Sequence, residues 1–306
     1  MGTPAFACPT LERLLTRPDP VVAVVCQPDR PRGRGLAVVA PEVKQLAVAR
    51  GVPVLQPEKL RDPATMDALR GLRPDLVVVA AYGKILPRAL LDLPTHGCIN
   101  VHASLLPRHR GAAPIQWAIL AGDAVTGVTI MAMAEEMDAG DVLLVRETPI
   151  APDDTAGTLG ARLATLGAEA LDEAVGALKA GTLRATPQPT AGITFAPRIE
   201  REHGRLDWQR PAVELARVVR AFAPAPGAFT TLGGRTLKVF LAATESAAHG
   251  AAPGRVLEAS PAGIAVATGS GALRLREVQL EGRRRVAAGA FLAGHPLAPG
   301  ACLGGP

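Results

Sequence analysis

The densest group of polar residues in this chain is Asn100-Val-His-Ala-Ser-Leu-Leu-Pro107. If residues 97–102 form a strand, Asn100 and His102, two positions apart, project from one face. Open α/β sheets receive ligands at the carboxyl ends of their strands, where both residues would stand. An imidazole takes or gives a proton near neutrality, and an amide N–H can donate to a developing oxyanion. A carboxylate beside the ring would orient it and favour its charged form. Asp138, in a turn between two later strand segments, is the candidate for that role. A lone histidine at a strand end also suits a structural role, so spacing alone leaves both readings open.

Other chemistries lack their signatures. His96, His102, His109, His203, His249 and His295 show no metal-ligand spacing, and no H-E-x-x-H occurs, so no metal is expected. There is no phosphate-cradling P-loop, no dinucleotide fingerprint around Gly33 and Gly35, and no G-x-S-x-G elbow. Cys8, Cys26, Cys98 and Cys302 form no C-x-x-C pair, which predicts free thiols.

The elements that must position the polar group follow from hydrophobic patterning. Short apolar runs at 21–26, 75–81 and 97–102 alternate with amphipathic stretches at 41–50, 85–91 and 114–121, the pattern of a mostly parallel, Rossmann-like sheet flanked by helices. Two strands at 127–134 and 141–148 bracket the turn with Asp138, and a long helix at 155–180 closes a domain spanning 1–180. Gly2-Thr-Pro-Ala-Phe6 reads as the loop that follows a first strand, with a helix at 9–15, yet the strand itself is missing. Residues 181–204, rich in Thr, Pro and Gln, read as a linker. From 205 to 306, one helix and five short strand segments between Gly/Pro turns suit a small barrel of the oligonucleotide-binding (OB) kind.

With 306 residues, 48% hydrophobic and 20% charged, the chain has the composition of a globular protein of two domains. No apolar run approaches the roughly 20 residues that cross a bilayer. The N-terminus lacks a signal-peptide pattern, so a cytoplasmic place and no membrane partner are expected. The net charge of +5 is unevenly distributed. Residues 1–201 hold 21 basic and 21 acidic side chains, whereas 202–306 hold 12 and 7. A neutral first part followed by a basic second one points to a metabolite domain joined to a domain that meets a polyanion. Arg30, Arg32 and Arg34 recur at every second position of one loop, and Arg283-Arg-Arg285 is the most concentrated basic site of the second part.

Seven motifs, in order, resemble those of the bacterial methionyl-tRNA formyltransferases, a family of folate-dependent formyltransferases. They are Gly2-Thr-Pro-Ala-Phe-Ala7, Gln27-Pro-Asp-Arg-Pro-Arg-Gly-Arg-Gly35, Ala81-Tyr-Gly-Lys-Ile-Leu-Pro87, Cys98-Ile-Asn-Val-His-Ala-Ser-Leu-Leu-Pro107, Arg110-Gly-Ala-Ala-Pro-Ile115, Thr126-Gly-Val-Thr-Ile-Met131 and Met137-Asp-Ala-Gly-Asp141. The likeness continues into Arg220-Ala-Phe-Ala-Pro-Ala-Pro-Gly227. The resemblance implies transfer of the formyl group of 10-formyltetrahydrofolate to the amino group of methionine on initiator tRNA, by a monomer without a metal. It makes Asn100, His102 and Asp138 the catalytic residues, with His102 held as imidazolium, and Ser104, Leu105, Leu106 and Pro107 the folate signature. It assigns Arg30, Arg32 and Arg34 to the acceptor end of the tRNA, and the basic C-terminal domain, with Arg283, Arg284 and Arg285, to the rest of it. Two alternatives stay open: another folate-dependent transferase or hydrolase with the same core, and a non-catalytic RNA-binding protein.

Overall fold

The computed structural model describes residues 1–32, 37–246 and 249–305. They cluster into two units. The first comprises 1–114, 125–149 and 160–197, and the second 115–124, 150–159 and 198–306. Of the stretch read as a linker, 181–197 falls in the first unit.

The first unit is built on a mixed sheet. Helix α1 (Cys8–Leu15) precedes strand β1 (Val24–Val25), and a hairpin of β2 (Arg30–Arg32) and β3 (Ala37–Val39) leads to α2 (Glu42–Ala49). Strand β4 (Val54–Leu55) lies parallel to β1. Helix α3 (Pro63–Gly71) starts where the Asp62 carboxylate accepts the Thr65 N–H at 3.1 Å, a capping contact that satisfies an otherwise orphan donor. Then come β5 (Val77–Val79), α4 (Arg88–Leu91), β6 (Cys98–His102), α5 (Pro114–Ala121), whose residues after Pro114 count with the second unit, β7 (Val125–Ala132), β8 (Val142–Pro149) and α6 (Ala156–Lys179), whose first turn does too. The order β5-β6-β7-β8 is parallel at its first pair and antiparallel at the next two. The parallel pairs β1–β4 and β5–β6 agree with the expected parallel sheet, and β7 and β8 extend it as antiparallel strands. The connection 133–141 is shorter than the dozen or so residues that a parallel crossover needs, so β8 must return antiparallel.

The N-terminus occupies the place where a first strand was expected. Gly2 donates to the Val25 carbonyl at 3.0 Å on one side, while Ala80 donates to the Met1 carbonyl at 2.9 Å on the other. The Met1 ammonium bonds the Val78 carbonyl at 2.5 Å. Met1 and Gly2 thus span β1 and β5 as a two-residue ladder, beside an apolar cavity of about 400 Å³ lined by Leu11, Leu14, Val24, Leu76 and Val78. Burial of the ammonium pushes its pKa down to about 6. The core on the β5–β6 side gathers Val79, Tyr82, Leu86, Leu90 and Cys98 with Met66 and Leu69 of α3.

The second unit carries α7 (Ala212–Ala221) and an antiparallel sheet of β9 (Ala228–Leu232), β10 (Arg235–Glu245), β11 (Val256–Ser260), β12 (Gly263–Ala267), β13 (Ala272–Leu280) and β14 (Val286–Ala287), ending in α8 (Ala288–Gly294). The five expected strands are present, in the order β11-β12-β13-β10-β9, with β14 paired to β13. Among the described residues no β9–β11 pairing closes this path into a barrel. Leu215, Val218 and Phe222, on and just after α7, are buried, as are Leu237, Val239, Leu275 and Val278 of the sheet.

Candidate active site

Strand β6 places Cys98, Asn100 and His102 on one face, as alternation requires. Asn100 is paired with Val79 on β5 and Met131 on β7, and His102 with Thr129. His102 is buried while Asn100 is half-buried, so the face opens toward Asn100. Among the described residues none hydrogen-bonds the Asn100 amide, which leaves its N–H groups available.

Asp138 arrives from the turn between β7 and β8 with φ +51°, a left-handed conformation that few residues other than glycine adopt. Its Oδ2 stands 3.6 Å from His102 Nδ1 and accepts the Gly111 N–H at 2.8 Å. The other ring nitrogen, Nε2, is 3.0 Å from the His109 carbonyl. The first distance is too long for a hydrogen bond and the second is ordinary, which assigns the proton to Nε2 and leaves the Nδ1 lone pair facing the carboxylate. Burial lowers the His102 pKa, and the opposing pull of Asp138 and of the His109 carbonyl does not offset it. The ring is therefore neutral at rest. The expectation that Asp138 keeps it charged is corrected, because removing the ring from water outweighs an ion pair that is not in hydrogen-bonding contact.

The loop 103–113 that runs from β6 to α5 is tied down along its length. Thr129 donates its hydroxyl to the Ser104 carbonyl at 2.7 Å and accepts the Leu106 N–H at 3.1 Å. The Ser104 hydroxyl, fully buried, donates to the Arg108 carbonyl at 2.6 Å. Ser104 thus shapes the loop, and the half-buried Leu105 and Pro107 are its more accessible members. A second set of contacts comes from 186–197. The Thr194 hydroxyl accepts the His109 N–H at 2.8 Å, while the Arg110 N–H donates to the Thr194 carbonyl at 2.9 Å and the Ala196 N–H to the Arg110 carbonyl at 2.7 Å. Gly111, at φ +128°, lies so close to this segment that a Cβ there would meet the Ala196 carbonyl oxygen at 2.6 Å. The Gln188 amide donates to the carbonyls of Asp138 and Gly140, both at 2.8 Å, and its oxygen accepts from the buried Arg110 guanidinium at 3.1 and 2.7 Å.

Asn100, His102 and Asp138 are thus brought together on and beside β6. The arginines lie elsewhere. Arg30 is exposed on the β2–β3 hairpin, whose base is fixed by Asp29 with Lys44 at 2.7 Å and with Gln56 at 2.6 Å. Arg32 lies on the same hairpin, whereas Arg34 falls outside the described residues. In the second unit Arg283 and Arg284 are exposed, whereas Arg285 is forked onto Glu277 at 2.6 and 2.5 Å and lies 4.3 Å over the Phe240 ring. Sequence reasoning missed Gln188, Thr194, Thr129 and the anchoring role of Arg110. The first two sit in a polar, proline-bearing stretch that offers no periodic signal. Among the described residues no group of three His, Cys, Asp or Glu could hold a metal, and no helix is long and apolar enough to cross a membrane.

Comparison with known proteins gives a consistent picture. The family model described as formyl transferase matches residues 2–175, and that for the formyl transferase C-terminal domain matches 198–296. A methionyl-tRNA formyltransferase of Myxococcus xanthus is 56% identical over 300 residues, covering 98% of this chain and 95% of that one. Its counterpart in Geobacter metallireducens is 50% identical over 304 residues, with coverages of 99% and 97%. Among solved structures, an N-formyltransferase of Helicobacter canadensis in complex with folinic acid and dTDP-3-aminofucose superposes with a TM-score of 0.67 at 16% identity. The match covers 91% of this chain and 97% of that one, a likeness of fold.

Proposed function

Because this chain belongs to the formyl transferase family, we propose that it transfers the formyl group of 10-formyltetrahydrofolate to the α-amino group of methionine on initiator methionyl-tRNA. The observation that carries this reading is identity of 56% running through both units to a relative of that name.

The site supports direct transfer without a covalent enzyme intermediate. As the amine nitrogen adds to the formyl carbon, Asn100 donates an amide N–H to the oxygen that becomes negative. His102, neutral at rest, takes at Nδ1 the proton that the amine sheds. Asp138, 3.6 Å from that atom, then faces an imidazolium and stabilises it. His102 returns the proton to the folate nitrogen as its bond to the formyl carbon breaks, so protons balance within the site. Leu105, Leu106 and Pro107 form the apolar wall for the folate, on the loop that Ser104 braces.

Residues 1–180 act as the catalytic domain, 181–204 as the connecting segment, and 205–306 as an OB-like tRNA-binding domain, for which the antiparallel five-strand path and the basic excess are the support. Arg30, Arg32 and Arg34 meet the acceptor end, and Arg283 and Arg284 meet phosphates, with Arg285 bracing their strand. The protein works in the cytoplasm as a monomer. Incubation with 10-formyltetrahydrofolate and either initiator or elongator methionyl-tRNA tests the reading. Formylation of the initiator species alone is expected. Formylation of neither overturns the assignment, and equal formylation of both removes the initiator specificity.

A further inference from the structure

Between residues 184 and 195 every side chain is exposed except those of Gln188 and Thr194. Both of these point into the loops around His102. Thr194 accepts the N–H of His109, the residue whose carbonyl holds His102 Nε2. Gln188 grips the turn of Asp138 from behind, through the two carbonyls that flank Ala139, and its own oxygen is held by Arg110. Arg110 is fixed in turn by its buried position and by Glu136, 3.6 Å from Nη1. An amide is the one side-chain group that offers two donors and an acceptor in this arrangement.

We propose that Gln188 is a positioning residue for the catalytic turn: its amide locks Asp138 in its left-handed conformation and so sets the distance between that carboxylate and His102. The inference rests on the formyl-transfer reading for its kinetic consequence and on geometry alone for its effect on the ring. A carboxylate in place of the amide keeps the size and the Arg110 contact but turns the two carbonyl contacts from attractive to repulsive. A thioether of similar length removes both kinds of contact without adding charge.

The titratable groups facing the His102 ring are Asp138 and His109, and Arg110, held by Gln188 and Glu136, stands behind the turn. Asp138 raises the affinity of the ring for a proton, so a displaced turn lowers it further. Two measurements test this on the full-length protein. In Gln188→Met, the His102 imidazole followed by NMR titrates at a lower pH than in the parent. In both Gln188→Met and Gln188→Glu, kcat for formyl transfer falls by roughly 100-fold, the cost of a misplacement of about 1 Å, while KM for either substrate changes by less than about threefold. The proposal is overturned if the His102 titration in Gln188→Met matches the parent, or if Gln188→Glu keeps kcat within about twofold of it. A parent without formyltransferase activity whose His102 titration still shifts in Gln188→Met upholds the positioning and rejects the functional reading instead.

Discussion

At the scale of the residue, the site depends on how His102 is charged. Its ring is 5% exposed, and desolvation disfavours imidazolium more than Asp138 and the His109 carbonyl favour it. The folded pKa therefore lies below the ordinary imidazole value of about 6.5. With neutral His102 as the proton acceptor, the formylation rate falls as pH drops through that lowered value. His102 contributes an acid limb below about pH 6.5, apart from the one that protonation of the substrate amine imposes, and its absence contradicts the assignment. Stability follows the same linkage. Below about pH 6.5 an unfolded chain protonates this histidine while the folded one resists, so His102 costs stability progressively as pH falls through that window. In His102→Gln this part of the acid destabilisation disappears, as comparison of denaturant midpoints at pH 7 and pH 5 would show.

At the scale of the element, the Asp138 turn and the segment 186–197 that hold the trio make close backbone approaches. A Cβ on Gly140 would sit 2.0 Å from the Ala132 carbonyl oxygen, so Gly140→Ala must push the Asp138 turn away from β7. The expected result is a loss of about 1–3 kcal/mol of stability, seen in thermal or denaturant unfolding, together with slower formyl transfer. Much of this element-level arrangement is legible in the sequence. The period of two puts Asn100 and His102 on one face, and the apolar runs locate β5, β6, β7 and β8. The rest is what strand spacing does not encode. The β2–β3 hairpin reads as loop because Arg30-Pro-Arg32 has no apolar alternation. Helix α3, with a mixed polar sequence, escapes the hydrophobic pattern although Asp62 and Pro63 mark its start. The segment 186–197 reads as linker because its role is carried by two side chains and by backbone bonds, which leave no pattern. The charge state of His102 is not legible because burial is a property of the fold.

At the scale of the whole molecule, a neutral first part and a basic second part suit a substrate that is itself a large polyanion. Arg283 and Arg284 are exposed, whereas Arg285 is committed to Glu277 and Phe240, so on the proposed tRNA reading the first two are the ones that meet phosphates. Replacing Arg283 and Arg284 together by alanine should weaken tRNA binding for initiator and elongator species alike. It should also reduce the slope of log affinity against log salt by about 1 for each phosphate that the protein no longer neutralises. Arg285→Ala should instead lower the unfolding midpoint, and binding assays and melting curves on the same preparations separate the two outcomes. The central claim is that Asn100, His102 and Asp138 together carry formyl transfer. The most direct test is the single-turnover rate with saturating 10-formyltetrahydrofolate and initiator methionyl-tRNA in Asn100→Ala, His102→Ala and Asp138→Ala. Each rate should fall by roughly 100-fold or more relative to the parent; rates within about twofold of it in all three would contradict that claim.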